Sequence, residues 1–267
     1  MPGEPLPKKR LGQHFLHDPG TIERIVRAIA PAPGQRILEI GPGLGALTLP
    51  LLRAAGSLTA IELDREVLGP LAEKARSEGT LELIHGDALR IDLRALAGNG
   101  RLRVVGNLPY LVSSPILFRC LTQLDAIEDM HFMLQREVVE RMTAAPGGKT
   151  FGRLSVAVQS LCHVEALFRV APGCFRPPPK VESTFVRLIP LPPERRPEAH
   201  RETLERLLRQ AFAQRRKTLA NALSGLADRH LLMALGIDPV RRPETIPVSD
   251  WCRLSLALHE RTTVREL

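Results

Sequence analysis

The stretch that decides the fold is EIGPGLG at residues 39–45, which ends the apolar run at residues 36–40 and leads into a helix-like segment through Leu52. Glycines at this spacing let the backbone turn tightly between a strand and a helix, and they let a ligand approach the helix N-terminus. The spacing is GxGxG and not the GxGxxG of dinucleotide enzymes, because residue 46 is alanine. The stretch therefore predicts a strand, a turn and a helix with a ligand site between them. A tight turn without a ligand is the alternative.

Two acidic residues follow at the ends of the next two predicted strands. Glu62 lies 19 residues after Gly43, where a carboxylate can accept hydrogen bonds from both hydroxyls of a ribose. Asp87 ends the following strand, where it can accept from the amino group of an adenine. Each acid alone is equally well explained by a helix cap or a loop charge, but together they indicate an adenosine-containing ligand. Because the sequence has no GxxxxGK[ST] phosphate loop, S-adenosylmethionine fits better than NAD or ATP.

A fourth predicted strand ends in the motif Asn107, Leu108, Pro109 and Tyr110. The exocyclic amine of adenine is a poor nucleophile because its lone pair is delocalised into the ring. A site that methylates it therefore needs acceptors for the N–H protons and a surface for the π-face of the base. The Asn107 amide oxygen and a backbone carbonyl made available by Pro109 supply acceptors, and Tyr110, the single tyrosine of the chain, supplies the surface. The alternative is a turn in which the proline ends the strand and the tyrosine packs in the core.

The pattern from Asp18 to about Leu188 alternates β-like and helix-like segments, which is typical of a parallel sheet covered by helices. The first helix is predicted to begin at Asp18, which can cap it, and Pro19, which suits the first helical position. Strands are predicted at residues 36–40, 58–63, 81–84, 102–105, 130–134, 164–170 and 183–189.

The composition changes at residues 189–200, where four prolines lie among charges, and we interpret this segment as a linker. A helical stripe follows, formed by Leu204, Leu207, Leu208, Ala211 and Phe212. The predicted fold class is α/β, with a Rossmann-like domain at residues 1–190 and a small all-helical domain at residues 191–267.

The composition is that of an ordinary globular protein, with 44% hydrophobic and 25% charged residues among 267. Lys and Arg number 37 against 29 Asp and Glu, a net charge of +8, which places nucleic acid first among the expected partners. No apolar run reaches the roughly 18 residues of a membrane span, and the basic, proline-rich start does not resemble a secretion signal. We therefore expect a cytoplasmic protein without a membrane partner, whose four cysteines are reduced and mostly buried.

These motifs resemble those of the ribosomal RNA adenine dimethyltransferases, most closely the small-subunit (16S) group. The resemblance extends in order along nearly the whole chain. Besides the motifs above, it rests on RLGQHFL at residues 10–16, FGRLSV at 151–156, FRPPPKVES at 175–183 and QRRKTL at 214–219. It implies a Rossmann-like methyltransferase domain that uses S-adenosylmethionine as cosubstrate and needs no metal.

The resemblance also assigns individual residues. The cosubstrate-binding residues that it implies are Gln13, His14, Leu16, Gly41, Gly43, Glu62, Asp87, Ala88 and Asn107. The catalytic residues that it implies are Asn107, Leu108, Pro109, Tyr110 and Phe175. In this arrangement Phe175 stacks on the target adenine opposite Tyr110. Many members of the family carry asparagine where this chain has His14, so the position keeps a polar side chain that can make the contact. Contacts with RNA phosphate are expected from Lys8, Lys9, Arg10, Arg215, Arg216 and Lys217.

The function that the resemblance implies is dimethylation at N6 of two adjacent adenosines in the 3′-terminal hairpin loop of 16S rRNA, within the 30S ribosomal subunit. Such an enzyme contributes to small-subunit biogenesis, and we expect it to be a monomer. One alternative is a 23S rRNA adenine methyltransferase of the macrolide-resistance kind, which LGIDP at residues 235–239 argues against. The other is a non-catalytic RNA-binding or ribosome assembly factor, which the intact motif at residues 107–110 disfavours.

Overall fold

The computed structural model describes residues 7–8, 12–214 and 216–265, with side chains up to residue 262. The strands in this part of the chain are β1 (Phe15–Leu16), β2 (Ile37–Ile40), β3 (Ser57–Glu62), β4 (Thr80–His85), β5 (Leu102–Asn107), β6 (Ile127–Gln135), β7 (Cys162–Val170), β8 (Phe175–Arg176) and β9 (Ser183–Pro190). The helices are α1 (Pro19–Ile29), α2 (Thr48–Ala55), α3 (Arg65–Ala75), α4 (Leu93–Ala97), α5 (Tyr110–Leu121), α6 (Arg136–Met142), α7 (Arg153–Gln159), α8 (Arg201–Ala213), α9 (Leu219–Ala222), α10 (Arg229–Ala234) and α11 (Val248–Arg265). All seven predicted strands are present, with shifted ends.

Seven strands form one sheet in the order β4-β3-β2-β5-β6-β9-β7. The pairs β4–β3, β3–β2, β2–β5 and β5–β6 are parallel, as predicted, but β9 runs antiparallel to β6. The prediction of an all-parallel sheet is therefore wrong at β9. Parallel neighbours need a crossover connection, but the segment between β7 and its sheet neighbour β9 contains no α-helix, so β9 passes back through the sheet in the opposite direction.

The strand order reverses at β2, since the chain proceeds outward through β3 and β4 and then returns to form β5 on the other side of β2. In an open sheet of this kind the ligand crevice lies beyond the carboxyl ends of the strands at such a reversal. Ile40, Glu62, His85 and Asn107 end the four strands concerned. These are the strand ends at which the sequence places its candidate residues.

Helix α1 shows how the local sequence fixes an element. The Asp18 carboxylate accepts a hydrogen bond from the backbone N–H of Thr21 at 2.7 Å, and Pro19 occupies the first helical position. Ile25 and Ile29 are buried from the same helix face and join the apolar core that also contains Leu51 and Leu52 of α2. The predicted cap and the proline at the first helical position are both confirmed.

The chain divides into two compact units whose boundaries differ in part from the predicted ones. The sheet unit comprises residues up to Val139 and Glu165–Pro190; the helical unit comprises Glu140–Val164 and the residues from Leu191 onward. The break at Pro190 lies where the linker was predicted. Residues 140–164 were assigned to the Rossmann-like domain, but Phe151 and Val156 pack in the core of the helical unit with Leu207 and Trp251.

The cysteines are free, three of them buried and Cys174 half-buried. In the described residues, no helix combines the length and the apolar character that a membrane crossing requires.

Candidate active site

One pocket of the sheet unit lies at the carboxyl ends of β2, β3, β4 and β5. Its wall brings together all of the predicted site residues except Phe175: Gln13, His14, Leu16, Gly41, Gly43, Glu62, Asp87, Ala88, Asn107, Leu108, Pro109 and Tyr110. These residues come from five separate parts of the sequence, and the strand order explains why they meet. The roles assigned to them individually stay predictions.

The glycine turn after β2 adopts a backbone that requires glycine. Gly41 and Gly43 have φ angles of +71° and +52°, in the left-handed region that other residues rarely adopt. A Cβ atom on Gly43 would also lie 3.0 Å from the ring of Phe15. The turn can therefore hold the segment at residues 12–16 close to the strand ends only because residue 43 has no side chain.

Glu62 is oriented by the backbone around it. One carboxylate oxygen accepts from the N–H of Gly43 at 3.2 Å and the other from the N–H of Asp64 at 2.9 Å. The residue is 7% exposed, and burial raises the pKa of Glu62, while these backbone N–H groups counteract the rise. Each oxygen keeps lone-pair capacity on the pocket side, as recognition of two ribose hydroxyls requires.

Asp87 both caps a turn and lines the pocket, and the sequence had left open which of these positions it occupies. It caps the 3₁₀ turn at Ala88–Arg90, with Oδ1 accepting from the Leu89 N–H at 2.9 Å, and it lines the pocket. Its second oxygen is not needed for the cap. A capping role and a ligand role are therefore compatible at this residue.

Asn107 ends β5, and a hydrogen bond fixes the orientation of its side-chain amide. The Nδ2 group donates to the backbone carbonyl of His14 at 2.9 Å. Because Nδ2 has this partner, Oδ1 is the atom of the amide that is left to accept hydrogen bonds. The Pro109 carbonyl accepts from the N–H of Val112 at 3.1 Å, so the neighbouring Leu108 carbonyl is the better candidate for the second acceptor.

Tyr110 begins α5, and its hydroxyl and ring are both held in place. The hydroxyl shares a hydrogen bond of 2.5 Å with the Ser183 hydroxyl, and burial raises the pKa of the phenol. The ring lies beside that of His14, with 5.6 Å between centroids and 35° between planes. Ser183 lies in the FRPPPKVES stretch, but nothing in its spacing identified it as the anchor of Tyr110.

The N-terminal segment forms the opposite side of the pocket and is held by contacts with distant parts of the sequence. The His14 Nδ1 atom lies 2.8 Å from the carbonyl oxygen of Pro177, which requires Nδ1 to carry the proton. Leu16 pairs with Phe175 through the short antiparallel strands β1 and β8, neither of which was predicted.

Lys8 has a different role from the predicted one. Its ammonium group lies 2.7 Å from Asp64 and 2.9 Å from Glu66, so it forms ion pairs within the chain and is not directed to RNA phosphate. Burial alone would raise the pKa of Asp64, but the Lys8 ammonium and the N–H of Glu66 hold it below its usual value. Lys9, Arg10 and Arg215 lie outside the described residues, whereas Arg216 and Lys217 are exposed in the helical unit.

Phe175 does not line the pocket in this structure, and its stacking on the target adenine stays a prediction. Phe175 is 3% exposed and packs in the apolar core of the sheet unit together with Leu16 and Phe185. The antiparallel pairing of β8 with β1 places Phe175 opposite Leu16. In this arrangement Phe175 supports the segment that carries His14 and Leu16.

Two kinds of residue on the pocket wall were missed from the sequence. Glu39, inside the quoted glycine stretch, is buried at 2% exposure and lines the pocket. Leu63, Leu89 and Leu111 line it too, with exposed fractions of 52%, 36% and 72%. Leu63 directly follows Glu62, Leu89 lies two residues after Asp87, and Leu111 follows Tyr110. The signal in the sequence was therefore a large apolar residue one or two positions after a predicted site residue.

Known proteins resemble this chain in both sequence and structure. The sequence model of the family described as ribosomal RNA adenine dimethylase matches residues 6–260. A ribosomal RNA small subunit methyltransferase A from Nitrosococcus oceani is 58% identical over 249 residues, which is 93% of this chain and 94% of that protein. A protein of the same name from Xanthomonas campestris is 52% identical, covering 93% of this chain and 95% of that protein.

Solved structures agree with these sequence matches. The crystal structure of a dimethyladenosine transferase from Plasmodium falciparum superposes with a TM-score of 0.80 at 26% identity, covering 93% of this chain and 98% of that one. The structure of the 23S rRNA methyltransferase ErmE superposes with a TM-score of 0.68, also at 26% identity, covering 92% of this chain and 99% of that one.

Proposed function

The chain belongs to the ribosomal RNA adenine dimethylase family, and we propose that it dimethylates N6 of two adjacent adenosines in the 3′-terminal hairpin loop of 16S rRNA. Its substrate in this proposal is the 30S ribosomal subunit, on which it acts as a monomer in the cytoplasm. The observation that carries the proposal is a single pocket in which a ribose-type carboxylate, Glu62, an oriented amide, Asn107, and an aromatic ring, Tyr110, occur together.

The pocket fits S-adenosylmethionine in three respects. The glycine turn leaves backbone space that a Cβ atom would fill, Glu62 is held with acceptor capacity toward the pocket, and the Asp87 cap leaves one carboxylate oxygen for an adenine amine. Leu63 and Leu89 add exposed apolar surface next to these acids, which suits a planar base. When bound, S-adenosylmethionine supplies a methyl group from its sulfonium sulfur.

Asn107 is the residue that prepares the target amine. Its Oδ1 atom accepts one N–H proton of the amine and the Leu108 carbonyl accepts the other, which draws the nitrogen toward tetrahedral geometry and frees its lone pair. Because the hydrogen bond to the His14 carbonyl fixes the amide before the substrate arrives, this acceptor needs no reorganisation during transfer. The methylated amine is acidic enough to lose its proton to water, so a dedicated general base is not required.

Tyr110 positions the target base. Its hydroxyl is anchored by Ser183, so the ring presents one fixed face on which an adenine can stack. An adenosine can reach this pocket only when it is unstacked, which favours a hairpin loop over a duplex. We assign RNA phosphate contacts to the helical unit, where Arg216 and Lys217 are exposed.

Assignment to the small subunit is supported by the names of the relatives at 58% and 52% identity. The test is transfer of labelled methyl groups to isolated 30S particles and, in parallel, to 23S rRNA. We expect label in 16S rRNA alone, and labelling that is about 100- to 1000-fold slower with the Asn107→Ala variant. Label in 23S rRNA alone would replace the proposal with the large-subunit activity, and no label in any RNA would contradict methyl transfer altogether.

A further inference from the structure

The pocket wall carries an exposed leucine that the proposed reaction does not yet use. Leu111 follows Tyr110 at the start of α5 and lines the pocket. It is 72% exposed, more than any other large apolar side chain in the described part of the chain. A leucine in contact with water forgoes the free energy of burial, which a ligand that covers it recovers. Leu111 therefore offers apolar contact to a molecule at the mouth of the pocket.

Leu111 lies on the side of the pocket that we assign to the target base. Glu62, the carboxylate assigned to the cosubstrate, ends β3 and is only 7% exposed. Leu111 instead adjoins Tyr110, on whose ring the target base is proposed to stack. A Cβ atom on Gly12 would lie 3.5 Å from Cδ1 of Leu111, so the N-terminal segment passes beside the same side chain. Leu111 thus belongs to the entrance by which RNA reaches Tyr110.

The stretch FRPPPKVES forms a second part of this entrance. Two of its residues contact the pocket wall: the Pro177 carbonyl lies 2.8 Å from His14 Nδ1, and Ser183 shares its hydrogen bond with Tyr110. Val181 lies between these two contacts and is 45% exposed. Exposed apolar side chains therefore flank the anchored Tyr110 both on α5 and in this stretch, which is more than a single surface leucine.

The charge of the same stretch favours a polyanion. Arg176 and Lys180 are exposed, and neither forms an ion pair with another residue that the structure describes. The acid of the stretch, Glu182, is paired with Arg136 at 2.7 Å. Two cations without an acidic partner suit the phosphates of an RNA strand better than an apolar peptide.

The proposed substrate supplies a group for this surface, because a second adenosine is joined to the reacting one through a single phosphate. We propose that Leu111 is a specificity-determining residue, a platform on which the base next to the target stacks while the target base occupies the pocket. Val181 adds apolar contact at the same entrance, and Arg176 and Lys180 attract the adjoining phosphates. This inference rests on the function proposed above.

The experiment is a double-mutant cycle between Leu111 and the neighbouring base. The substrates are 30S particles with both adenosines and two further kinds of particle, in each of which one adenosine is replaced by uridine. Initial rates at the remaining adenosine are resolved by mass spectrometry at saturating cosubstrate. Uracil covers less of the leucine than adenine does, so the wild type should lose roughly fivefold in kcat/KM with at least one of the two uridine particles. In Leu111→Ser this loss should shrink to less than about twofold.

Two further variants control the cycle. Leu111→Met keeps an apolar side chain and should keep the wild-type preference for an adenine neighbour. Phe118→Ser makes the same kind of change two turns further along α5, at a residue that is 38% exposed and does not line the pocket. It should also keep the preference. Any effect of uridine on the RNA loop itself is common to all four proteins and cancels in the comparison.

A preference that is the same in Leu111→Ser and in the wild type, or a wild type that does not distinguish uridine from adenosine in either particle, would overturn the inference. Calorimetric titration with S-adenosylmethionine in the absence of RNA identifies the alternative. Lost cosubstrate affinity in Leu111→Ser together with an unchanged neighbour preference would place Leu111 against the cosubstrate. These outcomes leave the proposed function standing, whereas it fails if the wild type methylates none of the 30S particles.

Discussion

The two sides of the pocket are held in place in different ways. The strand-end wall, formed by Gly41, Gly43, Glu62 and Asp87, is fixed by backbone N–H groups only a few residues from each acid or supplied by the glycine turn. The N-terminal wall, formed by residues 12–16, is fixed by Asn107, Phe175 and Pro177, and by Lys8, which contacts Gln13 and pairs with Asp64.

Because of this difference, we expect the strand-end wall to recognise the cosubstrate and the N-terminal wall to retain it. Backbone groups orient the strand-end wall before any ligand arrives, which suits a surface that recognises the cosubstrate. The N-terminal wall depends on a few contacts between distant parts of the chain, and its ion pairs are partly exposed to solvent. We therefore expect changes in the strand-end wall to alter affinity, and changes in the N-terminal wall to alter mainly how fast the cosubstrate leaves.

Asn107 joins the two walls, since it ends β5 and donates to the His14 carbonyl, and its removal should have the largest effect. Asn107→Ala loses the preformed acceptor and should lower the methyl-transfer rate about 100- to 1000-fold at saturating cosubstrate. After the first transfer only one N–H proton remains and the methyl group occupies one of two directions. The second transfer should therefore suffer more, and monomethyladenosine should accumulate in digests analysed by mass spectrometry.

Ser183→Ala is the control for this change, because it loosens the Tyr110 ring without removing the acceptor. It should slow both transfers to a similar and smaller extent. An Asn107→Ala protein that is slow but gives the wild-type ratio of mono- to dimethyladenosine would contradict the role of Asn107 as acceptor.

Gly43→Ala, in the strand-end wall, should have the next largest effect, because it should lower both the stability of the fold and the affinity for the cosubstrate. The substitution places a Cβ atom at a φ of +52° and 3.0 Å from the Phe15 ring, so we expect about 1–2 kcal/mol of destabilisation together with weaker cosubstrate binding. Gly34→Ala is the matched control: its φ is +81°, no atom lies within 4 Å of the added Cβ, and it is outside the pocket. Denaturant unfolding and calorimetry should show similar strain in both variants but lost affinity in Gly43→Ala alone. Equal affinity in the two would remove the turn from the binding site.

Lys8→Met tests the N-terminal wall and should have the smallest effect. Partly exposed ion pairs contribute little, so we expect cosubstrate dissociation to accelerate by no more than about fivefold, and less at high salt. Arg76→Met, which removes an exposed ion pair with Glu73 on α3, serves as the control in stopped-flow measurements. An unchanged dissociation rate in Lys8→Met at low salt would show that this ion pair does not help to close the pocket.

The strand-end wall is also the part of the site that the sequence predicted well. A glycine turn, an acid after each of two strands and a motif after a further strand are local signals, and parallel pairing brings their positions to one edge. The burial of Phe175 was not foreseen, because it follows from the pairing of β8 with β1, which no local pattern indicates. The predicted domain of residues 140–164 differs from the observed unit for a related reason. Apolar periodicity at Phe151 and Val156 does not indicate whether these residues pack in the core of the sheet unit or in that of the helical unit.

Glu39 illustrates a further limit. Its position inside the glycine stretch is evident in the sequence, but whether its Oε2 atom finds a hydrogen-bond partner among the described residues depends on the packing of the surrounding elements. A buried acid with one unpaired oxygen becomes visible only when every neighbouring element is in place.

The claim that the strand-end wall recognises an adenosyl cosubstrate is tested most directly by a double-mutant cycle between Glu62 and a ribose hydroxyl. Wild type and Glu62→Ala are titrated with S-adenosylhomocysteine and with its 2′-deoxy analogue. The account predicts that loss of the hydroxyl weakens binding to the wild type by roughly 1.5–3 kcal/mol and binding to Glu62→Ala by only a few tenths. An equal loss in both proteins would mean that Glu62 does not hold the ribose, and would contradict the account.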